Sequence, residues 1–192
     1  MPDPKPEALD FLLTRRSRPA KTLTAPAPTR EELRPLLTAA LRVPDHGKLE
    51  PWRLIVLKKP ALARLAALVP ARAEVLGIEE SKREKAVAQF RDADLAVAVI
   101  SAPKDSDKVP RIEQVYSAGC VCLSLLNAAL AAGWGANWLS GWASHDETFC
   151  REGLALRDGE SVAGLIHIGT ETVAAPERPR PDVNALTEWR EA

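Results

Sequence analysis

One segment of the sequence constrains the fold more than any other: residues 118–132, which are apolar nearly all round a predicted helix. They form the second half of the longest helix that the pattern predicts, from about Pro110 to Ala132, which Gly133 then ends. A surface helix keeps a polar face, so a helix without one requires burial on every side. Only the middle of a domain or a subunit interface provides such burial.

Length and composition narrow the classes of protein to consider. The chain has 192 residues, which predicts a single domain over residues 1–192, with residues 1–6 and 177–192 extended. Its 26 basic and 26 acidic residues cancel, whereas a nucleic-acid-binding protein normally has a basic excess. No uninterrupted apolar run reaches the roughly 18 residues of a membrane span, and the first residues resemble no secretory signal. We therefore expect a cytoplasmic protein that binds neither nucleic acid nor membrane.

The cysteines and histidines do not form a metal-binding pattern. Cys120 and Cys122 lie two positions apart on a predicted helix, so they point to roughly opposite faces. The third cysteine, Cys150, belongs to no Cys-x-x-Cys motif, and the chain holds only three histidines. We expect no metal, and we interpret His145 and His167 as structural residues.

Apolar runs and helical periodicities follow one another along the chain and predict an α/β or α+β sandwich of one sheet covered by helices. Strands are predicted at residues 53–57, 95–100, 134–142 (followed by a turn) and 162–168. Besides the long helix, helices are predicted at residues 7–14, 60–68, 78–91 and 146–152. Another helix should follow the capping box of Thr29 and Glu32, with a kink or a later start caused by Pro35.

Three segments concentrate groups that bind ligands. Arg15, Arg16 and Ser17 follow the first predicted helix, and two guanidinium groups with a hydroxyl can hold a phosphate through charge-assisted hydrogen bonds. The alternative is that these cations only complement the dipole of that helix.

The second segment, residues 42–52, places charged residues, His46 and Trp52 in the loop between a helix and a strand, where binding residues are common. Its alternative is an ordinary charged connection with Trp52 packed over the sheet. The third segment, residues 134–142, contains three tryptophans and two glycines. It suits either core packing or the close approach of a flat ligand.

The order of these segments resembles the nitroreductase family. The matching motifs are Arg-Arg-Ser, then Ala-Leu-Arg-Val-Pro-Asp-His with Glu-Pro-Trp after it, and Trp-Leu-Ser-Gly beyond the long apolar helix. The resemblance extends from Glu7 to about Gly169 and is closest to a small branch that has Pro-Asp-His where others have Pro-Ser. It implies an α+β sandwich with a mostly antiparallel central sheet covered by helices, in a homodimer with FMN at the subunit interface.

The resemblance also assigns residues to the cofactor. It implies that Arg15, Arg16 and Ser17 contact FMN from one subunit. Arg42 and His46 would reach the same FMN from the partner subunit. The later flavin-contacting segment is matched by Trp138, Leu139 and Ser140, and residues 128–133 would lie near the nicotinamide donor.

Two positions depart from the family pattern. Many relatives have asparagine at the position of Lys48 and glutamine at the position of Glu50, so the contacts of these two side chains with the flavin are open. A cation near the ring stabilises the negative charge of the reduced flavin, and Lys48, Arg42 and His46 are candidates for this role. Residues 78–85 match no family pattern, and variable covering segments of this kind usually set substrate preference.

The implied function is an FMN-dependent oxidoreductase that passes hydride from NADH or NADPH through the flavin to a nitroaromatic, a quinone or a similar acceptor. We expect no catalytic side chain, because the cofactor carries the chemistry. Two alternatives stay open. One is a specialised flavin reaction, such as dehalogenation or oxidation of a small metabolite, and the other is a flavin-binding protein without turnover. The absence of Gly-x-Gly-x-x-Gly, Walker A and Gly-x-Ser-x-Gly motifs argues against a dinucleotide-binding fold, a P-loop protein and a hydrolase.

Overall fold

A five-stranded sheet forms the middle layer of the protein, and the computed structural model describes residues 3–191. The strands are β1 (Leu23–Thr24), β2 (Trp52–Lys58), β3 (Leu95–Ser101), β4 (Gly135–Leu139) and β5 (Ser161–Glu171). The sheet order is β1-β5-β3-β2, and β4 also pairs with β5. All pairings are antiparallel, which confirms the predicted sheet.

Helices cover both faces of this sheet. The part of the chain that the structure describes contains α1 (Pro6–Thr14), α2 (Arg30–Ala40), α3 (Lys59–Val75), α4 (Glu80–Arg91), α5 (Arg111–Ala131), α6 (Trp142–His145), α7 (Glu147–Leu154) and α8 (Val183–Leu186). Helices α2 and α5 share one hydrophobic core with the sheet. Helices α3, α4 and α7 share the other. The α+β sandwich that the resemblance implies is therefore confirmed.

Strand β3 lies at the centre of both cores. All seven of its residues are buried. Val97 and Val99 contribute to the core beneath α2 and α5, whereas Ala96 and Ala98 contribute to the other. Because helices cover both faces, the strand needs apolar side chains on each, and its sequence shows no alternation of apolar with polar residues.

Helix α2 begins where the capping box predicts. The Thr29 hydroxyl accepts a hydrogen bond from the Glu32 N–H, and the Glu32 carboxylate accepts one of 2.8 Å from the Thr29 N–H. Pro35 lies inside the helix, so the expectation of a later start is wrong. The capping box satisfies N-terminal donors, and the burial of Leu33 and Leu36 offsets the one intrahelical hydrogen bond that proline removes.

Other boundaries differ from the sequence prediction because packing extends or ends the elements. Helix α3 continues to Val75, past Pro70, because Val69 and Ala73 are buried in the core. The third predicted strand ends at Leu139, and α6 follows where a turn was expected. Residues 18–28 contain the short strand β1, which pairs with the end of β5.

Helix α5 confirms the predicted long helix and its end. The N–H of Gly133, which has φ +83°, donates to Leu130, and the N–H of Trp134 donates to Ala129. These two hydrogen bonds to carbonyls of the last turn form the Schellman motif, in which glycine readily adopts the required positive φ. By length and composition α5 could span a bilayer, yet 44% of its apolar window is buried inside this fold.

One face of α5 is not buried by its own chain. Its side chains lie at helical spacing and are exposed apolar or sulfur-containing groups: Ile112, Val115, Tyr116, Cys120 and Leu123. The burial on every side that the sequence requires is therefore not achieved within one chain.

Candidate functional site

A cavity of about 630 Å³ gathers the first and third segments of the sequence analysis. We name it the arginine cradle, after the four arginines in its lining. Its lining residues are Arg15, Arg16, Ser17, Pro19, Asn137, Trp138, Ala175, Pro176, Arg178 and Arg180. The structure therefore brings together the Arg-Arg-Ser motif and the tryptophan-rich strand, which are more than 100 residues apart in the sequence.

Hydrogen bonds between Arg18 and β4 explain this proximity. The N–H of Arg18 donates to the carbonyl of Ala136 at 2.8 Å, and the Asn137 side-chain amide donates to the carbonyl of Arg18. The Arg18 guanidinium donates to Glu171, at the end of β5, at 2.6 Å. These contacts hold the segment that follows α1 against the sheet, next to Trp138.

The cradle concentrates positive charge that its own chain neutralises only in part, because one carboxylate, Glu177, pairs with two of its four arginines. The Arg15 guanidinium donates to the Ser17 hydroxyl at 3.0 Å, but its Nε is buried and has no hydrogen-bond partner among the described residues. Burial lowers the pKa of Arg15, and the neighbouring Arg180, Arg16 and Arg18 lower it further. An unpaired buried donor surrounded by cations is costly unless an anion occupies the site.

The cradle also includes residues that sequence reasoning missed. Arg178 and Arg180 come from the segment that follows β5, and Arg180 contacts Glu177 at 3.1 Å. Arg16 fixes this segment, because it donates to the Pro176 carbonyl at 2.8 Å and to Glu177 at 3.2 Å. The Arg-Pro-Arg sequence was the available signal, but it lies in a proline-rich stretch without periodicity.

Trp138 is the flat apolar surface of the cradle. A side chain at Gly164 would clash with the Trp138 indole, so the glycine allows the ring to lie against β5. About a third of Trp138 stays exposed, at 37%. Leu139 is half-buried and Ser140 is exposed, and neither is among the residues that line the cavity.

The second segment forms a loop with a fixed backbone, which we name the 42–50 loop. The Asp45 carboxylate accepts hydrogen bonds from the N–H groups of Leu49, at 3.1 Å, and Glu50, at 2.8 Å. Three of its residues adopt left-handed conformations, with φ +74° at Gly47, +53° at Lys48 and +48° at Glu50. Left-handed non-glycine residues are uncommon and concentrate at functional sites.

The 42–50 loop does not meet the arginine cradle within one chain. Arg42, His46 and Lys48 are exposed, and none of them lines the cavity. The Nδ1 of His46 lies 2.8 Å from Glu113 in the first turn of α5. The nine residues that the sequence suggested for the cofactor therefore fall into two separate groups.

The remaining titratable groups do not suggest covalent chemistry. Burial raises the pKa of Cys122 to about 12 and that of Cys150 to about 11, so both thiols are neutral and poor nucleophiles. Between residues 3 and 191, no cluster of three His, Cys, Asp or Glu side chains could hold a metal ion. Burial lowers the pKa of His167 to about 4, which agrees with the structural role expected for it.

These features define an α+β protein with an arginine-lined cavity beside a tryptophan at the sheet. Comparison with known proteins identifies its family. Residues 12–170 match the family model of the nitroreductase family. The chain therefore belongs to the nitroreductase family and is an enzyme of the oxidoreductase class.

Curated relatives and solved structures agree with this assignment. The chain is 36% identical to "Putative NAD(P)H nitroreductase YdjA" of Escherichia coli K12 over 170 residues, which covers 88% of this chain and 91% of that protein. It is 39% identical to "Putative NAD(P)H nitroreductase" of Haemophilus influenzae over 166 residues, or 85% of this chain and 88% of the other.

Two crystal structures share the fold at low sequence identity. A nitroreductase-like family protein from Bacillus cereus superposes with a TM-score of 0.79 at 21% identity and covers 96% of each chain. A "putative nitroreductase in complex with FMN" from Desulfovibrio desulfuricans has a TM-score of 0.72 at 23% identity, covering 95% of this chain and 96% of that one. The FMN in the second structure agrees with the predicted cofactor.

Proposed function

We propose that this protein is an FMN-dependent oxidoreductase that accepts hydride from NADH or NADPH and passes electrons to a nitroaromatic, a quinone or a similar acceptor. The observation that carries the proposal is the arginine cradle. It holds four arginines, one of them with a buried and unpartnered Nε, beside an exposed tryptophan face. A phosphate next to a planar aromatic ring system has the chemistry that such a cavity accepts.

Within this proposal, the residues of the cradle hold the phosphate of FMN. Arg15 and Arg16 donate charge-assisted hydrogen bonds to its oxygens, and Ser17 adds a hydroxyl. Arg178 and Arg180 close the same cavity from the opposite end of the chain. Because the phosphate is a dianion, it relieves the repulsion among these cations and pairs the buried Arg15 Nε.

The other residues orient the flavin ring and adjust its charge. Trp138 at the edge of the cradle, with Leu139 and Ser140 at and just after the end of β4, would border the ring. Arg42, His46 and Lys48 would approach from the partner subunit, and the cationic side chains of Arg42 and Lys48 would stabilise the negative charge of the reduced ring. FMN, when bound, supplies the acceptor and donor of hydride, so no side chain needs to act as a nucleophile.

A homodimer is part of the proposal, because the single chain exposes three apolar surfaces that a subunit interface would bury. The first is the open face of α5, which includes Tyr116 and Leu123. Helix α1 has no buried residue, although it carries three exposed leucines. Trp189, near the C-terminus, is 83% exposed. Apolar surface on this scale marks an interaction site, and obligate dimer interfaces bury more than about 2,000 Å².

The experiment that tests the proposal is reduction of the purified protein under anaerobic conditions. A yellow protein that bleaches on addition of NADH or NADPH supports a hydride-accepting flavoenzyme. A yellow protein that neither nicotinamide bleaches favours flavin binding without turnover. A colourless protein that cannot be reconstituted with FMN contradicts the proposal, whichever nicotinamide is used.

The donor and the acceptor would use the same position at the flavin. The nicotinamide carbon that gives up hydride must come within roughly 3–3.5 Å of the flavin, and an acceptor needs the same position. We therefore expect donor and acceptor to exclude one another. Initial rates over a grid of both concentrations should give parallel double-reciprocal lines, whereas intersecting lines with a detectable ternary complex would contradict a shared position. A cytoplasmic location also remains a prediction of this proposal.

A further inference from the structure

Three residues just before α5 and in its first half contact the 42–50 loop. Glu113 and Ser117 lie four positions apart and so on one side of the helix, and Val109 lies in the segment immediately before the helix. A Cβ at Gly47 would lie 3.3 Å from the Val109 side chain. The Ser117 hydroxyl donates to the Pro44 carbonyl at 2.7 Å.

Helix α5 also contacts the strand that follows the loop. The Trp52 indole N–H, at the start of β2, donates to the Ser117 hydroxyl at 3.1 Å, so Ser117 links Pro44 in the loop to β2. The middle contact is the one between His46 and Glu113, at 2.8 Å from Nδ1 to the carboxylate. Of the three contacts, it is the only one that involves the loop's ionisable side chains.

We propose that Glu113 is a positioning residue, which accepts a hydrogen bond from the Nδ1–H of His46 and leaves Nε2 free to face FMN in the partner subunit. The inference deepens the proposed function and rests on it for the identity of the ligand. A carboxylate has no proton to donate, so the ring nitrogen beside it must carry the proton. The other nitrogen of the neutral ring is then an acceptor, and the bond also fixes the direction of the ring.

The contact between His46 and Glu113 is exposed to solvent. The two side chains are 63% and 45% exposed, and even a fully charged pair at such exposure contributes little to stability. The pair is therefore poorly explained as a folding contact. It is better explained by preorganisation of a side chain that completes a site in another chain, where rotamer freedom lost in advance strengthens binding.

The test compares Glu113→Gln with a matched control, Glu31→Gln. Both residues lie in the first turn of a helix, so both substitutions remove the same favourable interaction with the helix dipole. The first readout is the tautomer of the neutral His46 ring, from ¹⁵N NMR of the imidazole over a pH series. The His46→Ala variant assigns the signal.

We expect the wild type and Glu31→Gln to show His46 protonated at Nδ1, and Glu113→Gln to show a mixture of tautomers. The second readout is FMN affinity, which should weaken up to about tenfold in Glu113→Gln, because a His46 ring that is no longer fixed must be ordered when FMN binds. Glu113→Asp should recover part of the affinity. In the His46→Ala background, Glu113→Gln should have no further effect, since its influence passes through the histidine.

The inference is overturned if Glu113→Gln leaves both the tautomer and the FMN affinity at their wild-type values. It is also overturned if the effects of His46→Ala and Glu113→Gln on affinity are additive. A wild-type protein that binds no FMN would instead contradict the proposed function. The tautomer, measured without FMN, separates the two failures.

Discussion

The arginine cradle and the 42–50 loop carry the same kinds of residues but relate differently to their own chain. In the cradle, cationic side chains converge on one cavity, and Arg16 is only 14% exposed. In the loop, the backbone is fixed by Asp45, whereas His46 is 63% exposed. In the proposed function, the cradle would hold the ligand within one chain, whereas the loop would meet that ligand from a partner subunit. Such a shared site would account for both observations.

The largest effect should come from a charge on the open face of α5. Leu123→Glu places a carboxylate where the proposal has a subunit interface, and burying an unpaired charge costs several kcal/mol. We expect the protein to become monomeric and to lose FMN, because the loop no longer reaches the cradle. Light scattering and flavin absorbance measure both outcomes.

The control for this change is Val75→Glu, which alters another exposed apolar residue, at the end of α3. It should leave both the dimer and the flavin content unchanged. A Leu123→Glu protein that stays dimeric, or a monomer that keeps FMN at full affinity, would contradict the proposal that the cradle and the loop meet across a subunit interface.

The next largest effect concerns the strand beneath the cradle. His167 pairs in register with Asn137, which lines the cavity, and neither of its ring nitrogens has a hydrogen-bond partner in the described chain. Burial lowers the pKa of His167 from 6.5 to about 4. The unfolded chain therefore binds more protons between these values, so the free energy of unfolding is highest above pH 6.5 and falls as the pH drops towards 4, by about 3 kcal/mol.

Chemical denaturation at pH 7 and pH 4.5 measures this loss, and His167→Leu is the comparison. The variant should lose less stability between the two pH values than the wild type does. Equal losses in both proteins would mean that other groups cause the pH dependence.

The third effect separates binding from folding in the cradle. Arg15→Gln removes a cation that is partly buried among other cations, so the FMN-free protein should melt at the same temperature or higher. FMN affinity should fall by about 1.5–3 kcal/mol, the value of a hydrogen bond to a charged group. Arg34→Gln, at an exposed position on α2, is the control for the loss of charge. A lower melting temperature with unchanged affinity would favour the helix-dipole interpretation of this arginine.

The smallest effect tests the fixed backbone of the loop. Gly47→Ala and Gly77→Ala both place a side chain at positive φ, but only the first meets a neighbour, the Val109 side chain at 3.3 Å. We expect Gly77→Ala to lower the free energy of unfolding by about 1 kcal/mol and Gly47→Ala by up to about 2 kcal/mol. Only Gly47→Ala should weaken FMN binding. Equal effects of the two substitutions on stability and on affinity would show that the contact with Val109 is unimportant.

The sequence correctly predicted the helix ends that depend only on neighbouring residues. Thr29 and Glu32 defined the start of α2, and Gly133 defined the end of α5, because capping involves only neighbouring residues. Pro35 was judged by the same local rules, and there tertiary burial prevailed, as it also does where α3 continues past Pro70. The α+β fold itself came from the family resemblance, since periodicity alone left α/β and α+β open.

The residues of the candidate site differ in the same way: some belong to local sequence motifs, and others are brought to the site only by the fold. Arg15 and Trp138 were found because each belongs to a dense motif. Arg178 and Arg180 were missed because their segment has no periodicity, and only the fold brings it back to Arg16. Glu113 was missed for a related reason: a single glutamate in the first turn of a helix has an ordinary local explanation, and its contact with His46 is visible only in three dimensions.

The central claim is that each FMN site combines the cradle of one chain with the loop of its partner. It is tested most directly by a heterodimer of two differently tagged chains, one with Arg15→Gln and the other with His46→Ala. If the site is shared, one of its two sites receives both substitutions and the other receives neither. We predict one FMN per heterodimer, bound with wild-type affinity, although each homodimer binds weakly at both sites. A heterodimer in which no site has wild-type affinity would contradict the claim, because a site within one chain always carries one of the substitutions.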